Sequence, residues 1–223
     1  MPLNIDIIRM PPSNTNSVLI DNGADAVIFD PWGSASDWKK LLTERNLKLH
    51  AIYVTHGHYD HMSAIPKLGA AWHMHHADLP IIKWSNPMLF MQGYGMIDTK
   101  KNPPIDIAPG DIEILPSVKA TVIHTPGHST GGVCFYIDSP AKISGIERIH
   151  DPAFTDGARF MITGDTLFYD SVGRWDLPGG SESAIKESLK IFWNFPDDTL
   201  VIPGHGRTGT LSEIKHSNLF LRK

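Results

Sequence analysis

The chain has 223 residues, 41% hydrophobic and 20% charged, with a formal net charge of −4. This is the balance of a globular protein long enough to bury a core. The mild negative charge, without a basic run, argues against a polyanion binder, and no stretch of about 18 apolar residues could span a bilayer.

The N-terminal MPLNIDIIRMPPS has neither the basic start nor the apolar middle of a signal peptide. Residues 3–9 and 17–21 read as strands, and Asn22-Gly23 supplies a hairpin turn into Ala26-Val27-Ile28-Phe29. Ser34 with Asp37 three residues on resembles a capping box and opens a helix through Trp38, Leu41 and Leu42. A strand at 51–54 runs into THGHYDH, residues 55–61, and a short helix near 61–68 stops at Gly69. A strand near 71–74 and a helical piece near 77–83 follow.

Residues 84–104, WSNPMLFMQGYGMIDTKKNPP, are rich in Met, aromatics, Gly and Pro. They read as an irregular segment, either a core-covering loop or subunit contact, or a flap over a site. Strands resume at 111–115, 118–124, 133–137, 159–163 and 199–202. Cys134, the single cysteine, sits in GGVCFYI as a buried strand residue; it excludes an intramolecular disulfide and suits a reducing, cytoplasmic compartment. Residues 139–158, with His150, read as a polar surface insertion. A helix fits 182–193, and Thr210 with Glu213 caps a last one. No repeat or linker divides the chain, so one domain over 1–223 is expected, with two packed sheets and helices outside.

Four places share one grammar: an apolar strand, a Thr or Pro, a nearby Gly, then a potential ligand. They are IYVTHGHYDH, TVIHTPGH, FMITGD and LVIPGH. Each delivers polar groups at the carboxyl end of a strand, where many α/β folds build their sites. Together His56, His58, Asp60, His61, His128, Asp165 and His205 offer seven ligands. A tetrahedral ion takes about four, so the set suits two ions sharing a bridging carboxylate and water. His56 and His58, two apart in extended chain, point the same way and can hold one ion; Asp60 and His61, where the chain turns, can reach a second.

H-x-H-x-D-H followed by HTPGHSTGG, TGDTLF and PGHG resembles the metallo-β-lactamase superfamily, most closely its glyoxalase II-like hydrolases. The resemblance runs through nearly the whole chain and is densest over TGDTLFYDSVGRWDLPGGS, residues 163–181. It implies an α/β fold, a four-layer αββα sandwich. It also implies His56, His58 and His128 on one metal, Asp60, His61 and His205 on the other, and Asp165 between them. Asp165 departs from β-lactamases that carry a cysteine there, and His58 departs from the flavodiiron branch, which has a glutamate. Trp175 stands where relatives often have a smaller polar residue. Eighteen residues follow His205, too few for the helical domain that grips glutathione in full-length glyoxalase II, so that specificity is not carried over.

The expected function is metal-dependent hydrolysis of a small-molecule thioester, such as an S-2-hydroxyacylglutathione, or a related acyl compound. Two divalent ions (zinc first, iron or manganese also accepted by imidazole and carboxylate) lower the pKa of a shared water and polarise the carbonyl. Asp60 and Asp165 are the candidate catalytic carboxylates. Alternatives are a mono-iron sulfur dioxygenase, a lactonase or esterase, and a non-catalytic binding protein; nucleic-acid processing lacks the basic elements it needs. His73, His75 and His76 read as surface or packing residues, His124 as a prop for the TPGH turn, and Arg174 with Asp176 as an internal ion pair.

Overall fold

The computed structural model describes residues 3–138, 141–143 and 159–222; His150 and the rest of 144–158 lie outside them. In chain order the elements begin with β1 (Leu3–Ile8), β2 (Ser17–Asp21), β3 (Asp25–Phe29), α1 (Ala35–Glu44) and β4 (Lys48–Tyr53). Next come α2 (Ile65–Leu68), β5 (Trp72–Met74), α3 (Leu79–Met91), β6 (Ile105–Asp106), β7 (Gly110–Leu115), β8 (Val118–His124) and β9 (Val133–Ile137). The chain closes through β10 (Ala141–Ile143), β11 (Phe160–Gly164), α4 (Glu182–Leu189), β12 (Leu200–Pro203), β13 (Gly209–Thr210) and α5 (Leu211–Ser217).

Among the described residues the strands form a seven-stranded sheet, β10-β1-β2-β3-β4-β5-β6, and a six-stranded sheet, β13-β12-β11-β9-β8-β7. Period-2 alternation sorts each strand between two cores. Val18, Ile20, Val27 and Phe29 face Val122, Phe135, Ile162 and Ile202 of the other sheet. Their neighbours Leu19 and Ile28 face outward onto Trp38, Leu42, Ile65 and Ile82 of the first helices. On the far side Cys134, Met161 and Val201 meet Ile185 and Leu189 of α4 and Leu211 and Ile214 of α5. The layers are therefore helices, sheet, sheet, helices. Because both faces of each sheet are covered, strands such as DAVIF read as almost continuous apolar runs.

Two expectations need correction. Residues 84–91 are not irregular: α3 continues through Pro87 to Met91. Asn86-Pro87 reads locally as a break, but Ile81, Ile82, Ser85 and Leu89 recur at helical spacing and are buried. That burial outweighs the roughly 3 kcal/mol cost of an interior proline. The segment beyond it is tied down, since the Asn86 amide exchanges two hydrogen bonds with the Ile97 backbone, at 3.0 and 2.8 Å. Within the expected surface insertion, 141–143 pairs in parallel with β1 as an edge strand. The Thr210–Glu213 capping box and the left-handed Gly69 (φ 77°) stand as expected.

Candidate metal centre

The parallel pairs β3–β4 and β11–β12 bring their carboxyl ends to the same edge of the sandwich. Past those ends lie His56, His58 and His61 after β4, Asp165 after β11 and His205 after β12; His128 sits in the turn from β8 to β9. The two sheets are sewn together here: the Val133 amide donates to the Thr55 carbonyl at 2.9 Å, and the Asn16 amide to the Gly204 carbonyl at 2.7 Å.

All seven residues singled out from sequence converge. Among the described residues, three groups with ligand atoms within 4.8 Å of one another could hold metal: His56–His58–His128, His56–His61–Asp165 and Asp60–His61–His205. Asp165 spans the outer two. Its Oδ2 is 3.5 Å from His128 Nε2 and 3.7 Å from His205 Nε2, and its Oδ1 is 3.5 Å from His61 Nε2. His56, His58, His61 and His128 are buried, while His205 has 30% of its side chain exposed. The centre thus opens on the Asp60–His205 side.

Whether these residues fit a metal can be read from their unused atoms. His56 Nε2, His58 Nε2, His61 Nε2 and Asp165 Oδ1 are buried without a hydrogen-bond partner. Buried polar atoms are normally paired, and leaving one unpaired costs about 1–3 kcal/mol. Imidazole nitrogen and carboxylate oxygen are also the donors that divalent transition metals take. The residues fit.

Backbone and buried carboxylates aim the rings. The remaining nitrogen of His128, Nδ1, donates to the Arg174 carbonyl at 2.7 Å, directing Nε2 inward. Thr55 Oγ1 lies 3.1 Å from His56 Nδ1, and Asp30 accepts from both the Thr55 amide and hydroxyl at 2.7 Å. Asp30 also sits 2.9 Å from His61 Nδ1. Ser13 donates to Asp60 Oδ2 at 2.9 Å, and Thr15 to the Asp60 carbonyl at 3.0 Å.

Without metal, His56, His58, Asp60 and His61 are displaced from their ordinary protonation. Burial, then repulsion among the imidazoles, pushes His56 well down and takes His58 to about 4. His61 goes the other way: burial opposes it, but Asp30, Asp165 and Asp60 together carry it up to about 10. For Asp60 burial is likewise opposed and overcome, by His205, His61 and Ser13, which hold the carboxyl well below the usual carboxylate range. The pocket is built for positive charge against its carboxylates, with neutral imidazoles alongside. Close approach is needed at Gly204, where an added Cβ would fall 2.1 Å from Asp165 Oδ1.

The secondary candidates are placed elsewhere. His73 stacks on Tyr53 at 4.7 Å; His75 stacks on His76 at 4.6 Å and on His124 at 4.5 Å. His124 Nε2 lies 2.9 Å from the Thr130 carbonyl, across the turn that carries His128. Arg174 and Asp176 form a bidentate pair at 2.7 Å. Cys134 is buried, and burial pushes its thiol up to about 11. Sequence reasoning missed Asp30, although IFDPWG repeats the same grammar of strand, polar residue, proline and glycine. It also missed Ser13, which no local pattern marks.

Comparison with known proteins agrees with this architecture. The family model for the metallo-beta-lactamase superfamily matches residues 10–140. Hydroxyacylglutathione hydrolase GloC of Haemophilus influenzae is 29% identical over 98% of this chain and 98% of its own. The crystal structure of TTHA1623 in a di-iron-bound form superposes with a TM-score of 0.73, at 29% identity, covering 96% of this chain and 98% of that one. The BLEG-1 B3 metallo-beta-lactamase structure gives 0.75 at 27% identity, over 99% and 100%. Among the described residues no helix is long and apolar enough to cross a membrane. With its αββα layers, its histidine cluster at the strand ends and a family match over more than half its length, the chain belongs to the metallo-beta-lactamase superfamily.

Proposed function

We propose that the protein is a dinuclear metal-dependent hydrolase of a thioester or related small acyl compound. The carrying observation is Asp165, one carboxylate within 3.5–3.7 Å of ring nitrogens from both outer groups. His56, His58 and His128 would hold one divalent ion, Asp60, His61 and His205 the other, and Asp165 would bridge. When bound, such ions lower the pKa of a shared water and polarise a carbonyl oxygen. Asp60, kept ionised and held by Ser13, faces His205 at 3.3 Å and orients what enters from the open side.

The substrate wall is aromatic on two sides. Trp84, partly exposed on α3, lies 5.6 Å from the His58 ring, and Phe168 lies 6.3 Å from His205. Among the described residues, the imidazoles and carboxylates gathered here would be taken up as metal ligands and so would not be free to protonate an amine leaving group. A thiol, with a pKa near 8.5, leaves without one. The likeness to the Haemophilus hydrolase supports a hydroxyacylglutathione as the first substrate to try.

The test is hydrolysis of S-lactoylglutathione by metal-replete protein. Turnover on the order of 1–10³ s⁻¹ is expected of a true substrate, with loss of activity in Asp165→Asn. Trace turnover sinks the glutathione assignment and moves the search to other thioesters and lactones. A β-lactam is the second reading, on the likeness to BLEG-1; hydrolysis of nitrocefin faster than of any thioester would favour it.

A further inference from the structure

Asp78, at the start of α3, is a fully buried carboxylate whose side-chain hydrogen bonds go to neighbours of the candidate ligands in the chain. It accepts from the Gly57 amide at 2.8 Å, from the Ser129 hydroxyl at 2.7 Å and from the Gly131 amide. Gly57 separates His56 from His58; Ser129 follows His128 directly and Gly131 lies two residues further on. The Gly57 carbonyl is held from the same helix, by the buried Ser85 hydroxyl at 2.8 Å. There is no slack: a Cβ on Gly131 would fall 2.7 Å from the Asp78 amide nitrogen, and one on Gly57 3.0 Å from the Asp78 carbonyl.

All three donors thus belong to the two segments that carry His56, His58 and His128. The Asp60–His61–His205 group has other supports, Ser13 on Asp60 and Asp30 on His61. We propose that Asp78 is a positioning residue for the three-histidine group alone: it locks the His56-Gly57-His58 turn to the His128 turn and supports metal affinity there independently of the second group. This rests on the metal-centre reading above. An amide cannot replace the carboxylate, because Oδ1 and Oδ2 both face donors. Whichever way the carboxamide of an Asp78→Asn variant turned, an N–H would meet an N–H or O–H.

The experiment is Zn²⁺ binding to metal-stripped protein against a chromophoric chelator, in two backgrounds. His205→Ala leaves the three-histidine group to be read, and His58→Ala leaves the other. Asp78→Asn should weaken Zn²⁺ roughly 10- to 100-fold in the first background, the range for lost ligand support, and leave the second unchanged. Ser129→Ala, which keeps the carboxylate and removes one donor, should give a smaller loss confined to the same group, and decides the matter if Asp78→Asn does not fold. Equal losses in both backgrounds, or no loss in the first, overturn the proposal. If the parent chain with Asp78 intact binds no Zn²⁺, the metal-centre reading falls first and takes this one with it.

Discussion

Gly204→Ala is the sharpest test of how the centre is packed. The new methyl would fall 2.1 Å from Asp165 Oδ1, 2.8 Å from His61 Cε1 and 3.0 Å from the Gly164 carbonyl carbon. Ordinary contact is about 3.5–4 Å, so the Asp165 carboxylate must withdraw by more than about 1 Å. Overpacking of this kind costs about 1–3 kcal/mol of stability, which leaves the chain folded. A displacement of about 1 Å at the reacting centre, by contrast, costs about 10²-fold in rate. The backbone at Gly204 is not in the left-handed region, so the loss would come from the methyl and not from a strained turn. Gly206→Ala is the paired control: its φ is +79°, yet nothing lies within 4 Å of an added Cβ. It should lose about 1–2 kcal/mol to backbone strain and keep its metal. Metal content, turnover and thermal midpoint of both variants decide the point. A Gly204→Ala protein with full metal content and parental turnover would refute the argument that Asp165 is held by the glycine's missing side chain.

Asp30→Asn removes the charge of a buried carboxylate bonded to Thr55 and adjoining His61. A loss of about 3–5 kcal/mol is expected in urea unfolding of the metal-free protein, and a loss under about 1 kcal/mol, the scale of an exposed pair, would contradict the pairing. The pH dependence of that protein carries two opposed signs. His58, depressed to about 4 when folded against about 6.5 unfolded, withdraws roughly 3 kcal/mol of stability as pH falls from 6.5 through 4. His61, raised to about 10, contributes stability below 6.5 that is lost as pH rises through 10. Stability should therefore fall on both sides of neutrality in the metal-free state, and a flat profile by thermal denaturation from pH 4 to 7 would exclude the buried neutral His58. Cys134 should resist Ellman's reagent in the folded protein and react on denaturation, because its thiol is buried and its pKa is about 11; rapid native labelling would contradict its placement.

Some of the architecture is local and was legible as such. DAVIF and FMITG name their own strands, since residues buried on both faces must be apolar throughout. Thr210 and Glu213 mark a helix start because the capping bonds span three residues. Helix α3 was not legible past Lys83, because the burial of Ser85 and Leu89 that sustains it is supplied by other parts of the chain.

The seven candidate ligands were determined by the sequence itself: strand, glycine and ligand lie within a few residues, so the pattern is complete in one dimension. Their grouping was implied by the family resemblance; what physically brings the groups together is tertiary structure, because β4 belongs to one sheet while β8, β11 and β12 belong to the other. The supports were decided there too. Asp78 lies 21 residues from Gly57 and 51 from Ser129, and Ser13 lies 47 from Asp60. A hydrogen bond across such distances leaves no periodicity in the chain; it exists only in the folded protein, and the Asp78–Ser129 bond only once the two sheets have closed on each other.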